Sequence, residues 1–454
     1  MRGSRQRAYM SGSPYSWKCF WPVSSRGLSV ICLSALLLAG APACFGYSLL
    51  THEEVVDVCW RDQIEPLLLK RFPAATPEQL HKAHAFAYGG CLIQDIGYYP
   101  FGDKFFSDLT HYVRSGDFVV NLIRESDDLN QYAFALGALA HYASDNAGHP
   151  YINQAVAVEF PRLRAKYGDS VSYAEDPRAH IRTEFGFDLV QVAKGRYTSE
   201  NYRDFIGFEV STAVLERAFY RTYSLHLEDV IGHLDLAIGT FRRAVSRVIP
   251  EMTRVALVAY RPEIAHDTPN FNKRKFLYNL SRTEYEKAWG TEYHHPTFGE
   301  RVLAVVLKLV PKVGPMRALA FKIPKTESED IYIKSVNKTV DSYKQMLAQV
   351  GRGQLELPDL DCDTGKPCRV GEYSLSDETY AHLLDGLSRC DLHCIDPGLR
   401  ANILAFYKTP AVTASRKARK AWPRTRQELA ALESAEPGPG AQKAASAQLQ
   451  KTGR

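Results

Sequence analysis

The segment 128–149, DLNQYAFALGALAHYASDNAGH, decides the fold class of this chain of 454 residues. Its apolar residues recur at the spacing of a helix, which predicts one long helix with a buried face. They include Phe134, Leu136, Leu139 and Ala140. The same helix carries His141 and Asp145 one turn apart, so both side chains lie on one face. The segment therefore predicts a helical domain with titratable groups close to its core.

Capping residues in the sequence predict where two further helices begin. Thr76-Pro77-Glu78-Gln79 combines an N-cap residue, a proline at the first helical position and a glutamine three residues after the cap. A helix is expected to begin there and to run toward Asp95. Asp176-Pro177 repeats the cap and the proline, and should begin a helix through Leu189.

The rest of the first half is also helical in pattern. Residues 200–225 and 228–260 predict two more helices, the second kinked or broken at Pro250. No run of alternating apolar and polar residues, the pattern of a strand, appears in 47–260. We therefore predict an all-α fold, a multi-helix bundle over residues 47–260.

The composition is that of an ordinary globular protein, with 45% hydrophobic and 24% charged residues. The formal net charge of +5 comes from the two ends of the chain. Residues 1–46 carry five Lys or Arg and no acid, and residues 411–454 carry nine against three Glu. The body between them has 42 basic and 48 acidic residues. Because binding to a phosphate backbone needs clustered positive charge, no stable nucleic-acid complex is expected.

Both ends are predicted to lie outside the folded body. Five basic residues precede an apolar run from Leu28 to Ala39, which is followed by small residues. This is the pattern of a signal peptide over 1–46, with an uncleaved anchor as the alternative, and it predicts a secreted or periplasmic protein. The segment 411–454, rich in Ala, Gln, Lys, Pro and Gly, is predicted to be a disordered basic tail.

A mainly helical, cysteine-containing extension follows the first domain. Residues 261–354 are expected to form a connection and amphipathic helices, including a helix over 329–351. The basic, Val- and Leu-rich stretch 298–325 either lies on a membrane surface or packs on the first domain with its basic residues outward. Residues 355–410 are expected to form a small cysteine-bearing unit.

Six cysteines lie beyond the predicted signal peptide and the residues beside its end. They are Cys59, Cys91, Cys362, Cys368, Cys390 and Cys394. An even number in an oxidising compartment favours disulfides. The last four, spaced as C-x5-C and C-x3-C, are alternatively the ligands of a structural zinc. Cys59 and Cys91 either pair or remain buried thiols.

The informative polar residues are His, Asp and Glu between positions 47 and 184. His141 with Asp145, and His180 with Glu184, each place an imidazole and a carboxylate one helical turn apart. Such pairs taken singly are usually surface salt bridges. Two of them inside apolar helices, with further candidates nearby, predict a multinuclear metal site, because buried titratable groups need partners and nitrogen and oxygen ligands suit zinc. The further candidates are His52, Asp95, His111 and His149.

Taken in sequence order, these residues resemble the zinc-dependent bacterial phospholipase C family, which is related to the single-strand-specific zinc nucleases. The order is His52, Asp95, His111, His141-x3-Asp145, His149 and His180-x3-Glu184. The resemblance covers about 47–260. It implies an all-helical domain with two or three zinc ions. The first zinc would be bound by Asp95, His111, His141 and Asp145. The second would be bound by His149, His180 and Glu184. The third would be bound by His52, by Asp145 as a bridging ligand, and by the backbone of the mature N-terminal residue, here Tyr47.

The sequence departs from the family pattern at two points. The family's N-terminal residue is usually Trp, but the backbone amine and carbonyl of Tyr47 can bind a metal whatever the side chain. The family pattern H-x3-D-x5-H is shortened here to His141-x3-Asp145-x3-His149. His149 is therefore expected to reach the second zinc only if the helix continues for another turn.

The resemblance implies a zinc-dependent phosphodiesterase that hydrolyses phospholipids, with a possible peripheral contact to the membrane surface. Zinc ions would activate a water molecule, and Asp95 is the candidate general base. Two alternatives remain: a zinc-dependent single-strand nuclease or nucleotidase, and a non-catalytic exported metal-binding module. Glu184 favours the phospholipase, because the nuclease branch has H-x3-D at that position.

Overall fold

The computed structural model describes most of the chain between its two ends. The described residues are 49–193, 207–245, 324–389, 392, 395–408 and 415–435. The predicted signal peptide, Tyr47, the stretch 298–323, Cys390 and Cys394 therefore lie outside the described residues. Pro250 also lies outside them.

The described part is helical, with a single two-stranded ladder. The elements before residue 160 are α1 (Leu49–Cys59), a π-helical turn (Trp60–Ile64), α2 (Glu65–Arg71), α3 (Pro77–Leu92), a 3-10 helix (Ile93–Tyr98), α4 (Lys104–Tyr112), α5 (Ser115–Arg124) and α6 (Leu129–Glu159). Next come α7 (Pro161–Tyr167), α8 (Pro177–Ala193), α9 (Thr212–Tyr223), α10 (Leu227–Val230) and α11 (Leu234–Arg243). The last elements are α12 (Thr326–Arg352), β1 (Leu360–Asp361), β2 (Lys366–Pro367), α13 (Ser374–Leu387), α14 (Pro397–Tyr407) and α15 (Arg416–Ser434). The all-α fold class is confirmed.

The predicted starts of the helices follow from side-chain caps. Thr76 and Gln79 form a capping box at α3, in which Thr76 Oγ1 accepts from the Gln79 N–H at 3.3 Å and Gln79 Oε1 accepts from the Thr76 N–H at 2.9 Å. Asp128 caps α6 by accepting from the Gln131 N–H at 2.8 Å. Asp176 accepts from the Ala179 N–H at 2.9 Å before α8. Each cap satisfies backbone donors that the first turn of a helix cannot pair.

Helix α6 is the centre of the fold, packed between α3 and α12. A Cβ atom on Gly137 would lie 2.0 Å from the carbonyl oxygen of Ala87, so the backbones of α6 and α3 are in direct contact there. This close approach lets the ring of His141 reach the carbonyl oxygen of Cys91 on α3, with 2.9 Å between the oxygen and Nδ1. The glycine therefore links the packing of two helices to the position of a candidate ligand.

Two predicted helices differ from the structure. Within the described residues 207–225, the predicted helix begins only at Thr212, because 207–211 runs across α3 and the Glu209 N–H donates to the carbonyl oxygen of Ala85 at 3.0 Å. The predicted helix over 228–260 is interrupted between α10 and α11, where Ile231 leaves helical geometry and is buried in the core.

The described residues after 324 share the hydrophobic core of the first domain. Tyr343 on α12 donates to the carbonyl oxygen of Leu136 at 2.9 Å. Tyr332 on the same helix is hydrogen-bonded to Thr51 through their hydroxyls at 2.7 Å. Leu383 and Leu399, from α13 and α14, belong to the same buried cluster as the side chains of α3 and α6. The described residues of 355–410 therefore pack into the same core, and their division into a small cysteine-bearing unit stays a prediction.

The prediction of a disordered tail over 411–454 is wrong for Arg416–Ser434, which form α15. Ser415 caps this helix, accepting from the N–H groups of Lys417 and Ala418 at 3.1 and 3.3 Å. Leu432 is fully buried against the core. The overall composition of the segment did not indicate its helical apolar stripe, which tertiary packing stabilises.

The four described cysteines are thiols rather than disulfides. They are Cys59, Cys91, Cys362 and Cys368. Cys91 donates its thiol to the carbonyl oxygen of Tyr88 at 3.3 Å, and Cys368 donates to that of Tyr112 at 3.0 Å. Disulfides among these four residues are therefore wrong, and Cys59 and Cys91 are the buried thiols that the sequence left as the alternative. Across the described ranges, none of the helices has the length and apolar character needed to cross a membrane.

Candidate metal centre

The predicted ligands that the structure describes converge on Asp145 in the middle of the bundle. Helix α6 supplies His141, Asp145 and His149, and the remaining residues come from α1, the 3-10 helix, the end of α4, and α8. The Nε2 atoms of four histidines lie close to the two Asp145 oxygens. These distances are 3.1 Å for His141, 3.3 Å for His111, 3.6 Å for His149 and 3.7 Å for His52. Asp145 therefore lies where a bridging carboxylate is expected.

Asp95 and the residues of α8 complete the cluster on opposite sides. Asp95 Oδ1 lies 3.5 Å from Nε2 of His111. Glu184 Oε1 lies 3.1 Å from Nδ1 of His180 and 3.6 Å from Nε2 of His149. His149 thus connects Glu184 to Asp145.

The shortened spacing between Asp145 and His149 does not remove His149 from the cluster. From His141 to His149 a helix advances about 12 Å and turns by about 80° beyond two full turns. The side chain of His149 can therefore still reach the cluster on the same side of α6. Helix α6 continues through Pro150 to Glu159, which is the extra turn that the sequence required.

Backbone carbonyls fix the orientation of three of the imidazole rings. Nδ1 of His111 lies 2.7 Å from the carbonyl oxygen of Ser107, that of His141 2.9 Å from Cys91, and that of His149 2.9 Å from Cys362. A carbonyl only accepts, so each Nδ1 carries the proton. In the neutral ring Nε2 then presents a lone pair to the cluster, as metal-binding histidines do. The Nε2 atoms of His111 and His141 are only 3.3 Å apart, an arrangement that a shared cation would stabilise.

The buried carboxylates fit the same interpretation. Asp95, Asp145 and Glu184 are buried, and within the described ranges their ion pairs all go to histidines. Asp95 Oδ1 and both oxygens of Asp145 and Glu184 accept no hydrogen bond from the described residues. Such oxygens are costly to bury without a compensating cation. An imidazole and carboxylate set of this kind suits zinc.

The candidate ligand atoms form contiguous groups. Atoms of His52, Asp95 and His141 lie within 4.8 Å of one another, as do atoms of His111, His141 and Asp145. The residues present therefore fit a multinuclear zinc centre. The division of ligands among individual zinc ions stays a prediction.

Burial and mutual charge shift the pKa values of these groups. Burial would raise the pKa of Asp145, but the charges of His141 and His149 hold it well below its usual value. Burial raises the pKa of Asp95 to about 6. Burial would lower the pKa of His111, but Asp145 outweighs this effect and raises it to about 9. In the metal-free protein, protons on His111 and His149, whose pKa values are raised, thus balance the carboxylates, and metal binding must displace them.

The start of α1 is anchored beside the cluster. Asp188 on α8 accepts from the N–H of Leu50 at 2.9 Å and from the hydroxyl of Thr51 at 2.7 Å. Asp188 was not predicted from the sequence, where its only signal is its position four residues after Glu184. Tyr47 itself lies outside the described residues.

Two more residues that support the cluster were missed. Asn153 Oδ1 lies 2.9 Å from Nε2 of His180, which leaves Nδ1 of that ring toward Glu184. Asn153 lies four residues after His149, so helical spacing was a usable signal. Asp363 lies 3.4 Å from Nδ1 of His149 through Oδ1, and it is more than 200 positions away in the chain, so no spacing pattern indicates it.

Comparison with known proteins points to the same chemistry. The family model for zinc dependent phospholipase C matches residues 51–232. No curated protein and no solved structure matches the chain. The matched residues contain every described candidate ligand, from His52 to Glu184. Residues 51–232 are therefore similar to the zinc-dependent phospholipase C family.

Proposed function

We propose that this protein is an exported, zinc-dependent phosphodiesterase that hydrolyses phospholipids at the head-group side of the glycerol, as a phospholipase C does. The observation that carries the proposal is the ring of four Nε2 atoms around the buried carboxylate of Asp145. The family match over 51–232 implies zinc and a phospholipid substrate. The acidic balance of the chain body makes a nucleic acid the weaker candidate substrate.

Zinc ions in this centre would neutralise phosphate oxygens, lower the pKa of a water molecule and stabilise the departing alkoxide. Asp145 holds the four histidines around one point and balances positive charge there. His149 on α6, together with His180 and Glu184 on α8, forms one side of the centre. The chain thus supplies a fixed, buried arrangement that need not reorganise during the reaction.

Asp95 is the proposed general base. It is 5% exposed, whereas the other described candidate ligands are 2% exposed or less, so its carboxylate is the most accessible of the cluster. Its Oδ1 accepts no hydrogen bond from the described residues and can take a proton from the attacking water. The water oxygen bonds to phosphorus, the bond from phosphorus to the glycerol oxygen breaks, and the proton passes to that oxygen. The products are a diacylglycerol and a phosphorylated head group.

Export and processing are part of the proposal. We expect cleavage after residue 46 to release Tyr47 with a free amine, which would bind the third zinc together with His52 and Asp145. The anchoring of Leu50 and Thr51 by Asp188 supports this position for the N-terminus. N-terminal sequencing of fully zinc-loaded, active protein tests it, and a first residue other than Tyr47 would contradict it.

The deciding experiment measures zinc content and substrate choice on the mature protein. We expect two or three zinc ions per chain and release of phosphocholine from phosphatidylcholine vesicles, abolished by a chelator and restored by zinc. Cleavage of single-stranded DNA in place of the lipid would contradict the phospholipase assignment. A chain that binds no zinc and cleaves neither substrate would favour a non-catalytic binding module.

A further inference from the structure

The segment Pro358–Gly365, PDLDCDTG, lies against the metal centre although it is outside the family match at 51–232. We call it the strap. A Cβ atom on Gly116 would lie 2.6 Å from the carbonyl oxygen of Pro358, so the strap backbone packs directly on α5. The hydroxyl of Tyr142, on α6, donates to the same oxygen at 2.6 Å. The strap is thus held against two helices of the first part of the chain.

Residues 362 and 363 of the strap contact two elements that carry candidate ligands, α4 and α6. The carbonyl oxygen of Cys362 lies 2.9 Å from Nδ1 of His149, and the Cys362 N–H donates to the carbonyl oxygen of His111 at 3.1 Å. The carbonyl oxygen of Asp363 accepts from Nδ2 of Asn153 at 2.9 Å. Asn153 in turn holds the ring of His180. One dipeptide therefore supports His111, His149 and, through Asn153, His180.

The carboxylate of Asp363 is placed behind the ring of His149. Its Oδ1 lies 3.4 Å from Nδ1, on the side of the ring away from Asp145 and Glu184. Its Oδ2 accepts from the hydroxyls of Tyr112, at 2.8 Å, and Tyr373. With 4% of its surface exposed, Asp363 has little solvent to orient it, and these partners fix it instead.

The strap has an internal framework that keeps Asp363 in place. Asp361 Oδ1 accepts from the N–H groups of Asp363 and Thr364 at 3.0 and 3.1 Å. Asp361 Oδ2 accepts from the hydroxyl of Ser376 on α13 at 2.8 Å. The antiparallel pairing of β1 with β2 closes the turn around these residues. The position of Asp363 is thus determined by local bonds as well as by the tyrosines.

We infer that Asp363 is a positioning residue that orients His149 and strengthens its bond to the second zinc. A carboxylate behind a metal-binding histidine fixes the ring and raises the basicity of the nitrogen that faces the metal. The inference rests on the zinc centre of the proposed function. It adds that a residue outside the family match sets the affinity of one of the zinc sites.

The test compares Asp363→Asn with Asp359→Asn in the full-length mature protein. Both variants exchange a strap carboxylate for an amide of the same shape, at the buried Asp363 and the half-buried Asp359. Asp359 accepts from the N–H of Asp117 at 3.0 Å, a bond that an asparagine can retain, and none of the described candidate ligands is among its hydrogen-bond partners. Zinc affinities are measured by competition with a chromophoric chelator. Thermal unfolding of the metal-free proteins shows whether the fold has changed.

We expect Asp363→Asn to weaken one class of zinc about 10- to 100-fold, the usual effect of losing such a partner. That zinc should be the one that His180→Ala abolishes, and metal-free unfolding should stay within a few degrees of the wild type. Asp359→Asn should bind every zinc within twofold of the wild type. Unchanged zinc affinity in Asp363→Asn, or an equal loss in both variants, would overturn the inference.

Tyr373→Phe provides a second variant in case Asp363→Asn does not fold. It removes one donor to Asp363 while leaving the carboxylate in place. A loss of a few fold in affinity for the same zinc supports the inference, and no loss overturns it. A wild-type protein that binds no zinc would instead refute the proposed function, so the two failures are distinguishable.

Discussion

The part of the chain before residue 245 and the part after residue 324 contribute to the metal centre in different ways. The first part carries every described candidate ligand, mostly as His and acid pairs one helical turn apart. The second part contributes the carbonyl oxygen of Cys362, which accepts from Nδ1 of His149, and the carboxylate of Asp363 beside the same nitrogen. The comparison teaches that binding groups can be encoded by local spacing while their orientation depends on residues distant in the chain.

Asp145→Asn is expected to have the largest effect on the ligands that the first part carries. Asp145 is the residue that four histidines share, so removing its charge should weaken neighbouring zinc sites together, because adjacent dications repel each other. We expect loss of more than one zinc per chain and of nearly all phosphodiesterase activity, with a helical circular dichroism spectrum. Metal analysis and turnover measure this.

Asp128→Asn is the matched control on the same helix. Asparagine is as good an N-cap as aspartate, so α6 should begin unchanged. This variant should retain wild-type zinc and turnover. If Asp145→Asn also retained both, the bridging role of Asp145 would be wrong.

Leu432→Ala tests whether the end of the chain is part of the common core. Leu432 is fully buried on α15, so the truncation should reduce the free energy of unfolding by roughly 2–5 kcal/mol. Gln427→Ala, on the exposed face of the same helix, should change it by less than about 0.5 kcal/mol. Chemical denaturation measures both, and equal effects would indicate that α15 does not pack as described.

Gly137→Ala tests the contact between α6 and α3. The added methyl would meet the carbonyl oxygen of Ala87 at 2.0 Å, so we expect the free energy of unfolding to fall by about 1–3 kcal/mol. Zinc affinity should fall as well, because the ring of His141 is held by a carbonyl of α3.

Gly386→Ala is the matched control in α13. Nothing lies within 4 Å of its added methyl, and alanine favours a helix by about 1 kcal/mol over glycine. This variant should therefore be as stable as the wild type or more so. A destabilised Gly386→Ala beside a neutral Gly137→Ala would contradict the packing described here.

The metal-free protein should lose stability as the pH rises above neutrality. The folded-state pKa values of His111 and His149, about 9 and about 10, exceed the ordinary value of 6.5. Their contribution to stability is therefore fully present below pH 6.5 and is lost as the pH rises through 9 to 10. Urea unfolding of chelator-treated protein at pH 6.5 and pH 10 measures this loss. Zinc-loaded protein is the control and should depend less on pH, and a flat profile for the metal-free protein would contradict the cluster's electrostatics.

Local signals in the sequence were sufficient for much of the fold and of the candidate site. The caps at Thr76, Asp128 and Asp176 act within one helical turn, so their helices could be predicted. The pairs on α6 and α8 follow from the helical period for the same reason. The convergence of these pairs was predicted only with the help of the family resemblance.

The parts that could not be predicted depend on contacts between distant residues. The segment 207–211 is not helical because it crosses α3, and α15 is helical because its apolar stripe packs on the core. Asp363 meets His149 only after the strap has folded onto α5 and α6. Neither the composition nor the residue spacing of the sequence indicates these contacts.

Anomalous X-ray diffraction at the zinc edge, on crystals of the mature protein, tests the central claim most directly. We predict two or three zinc peaks in the bundle, one of them between an oxygen of Asp145 and the Nε2 atoms of His111 and His141. A second peak should lie among His149, His180 and Glu184. Zinc bound only at the surface, or a cluster with no peak beside Asp145, would contradict the account.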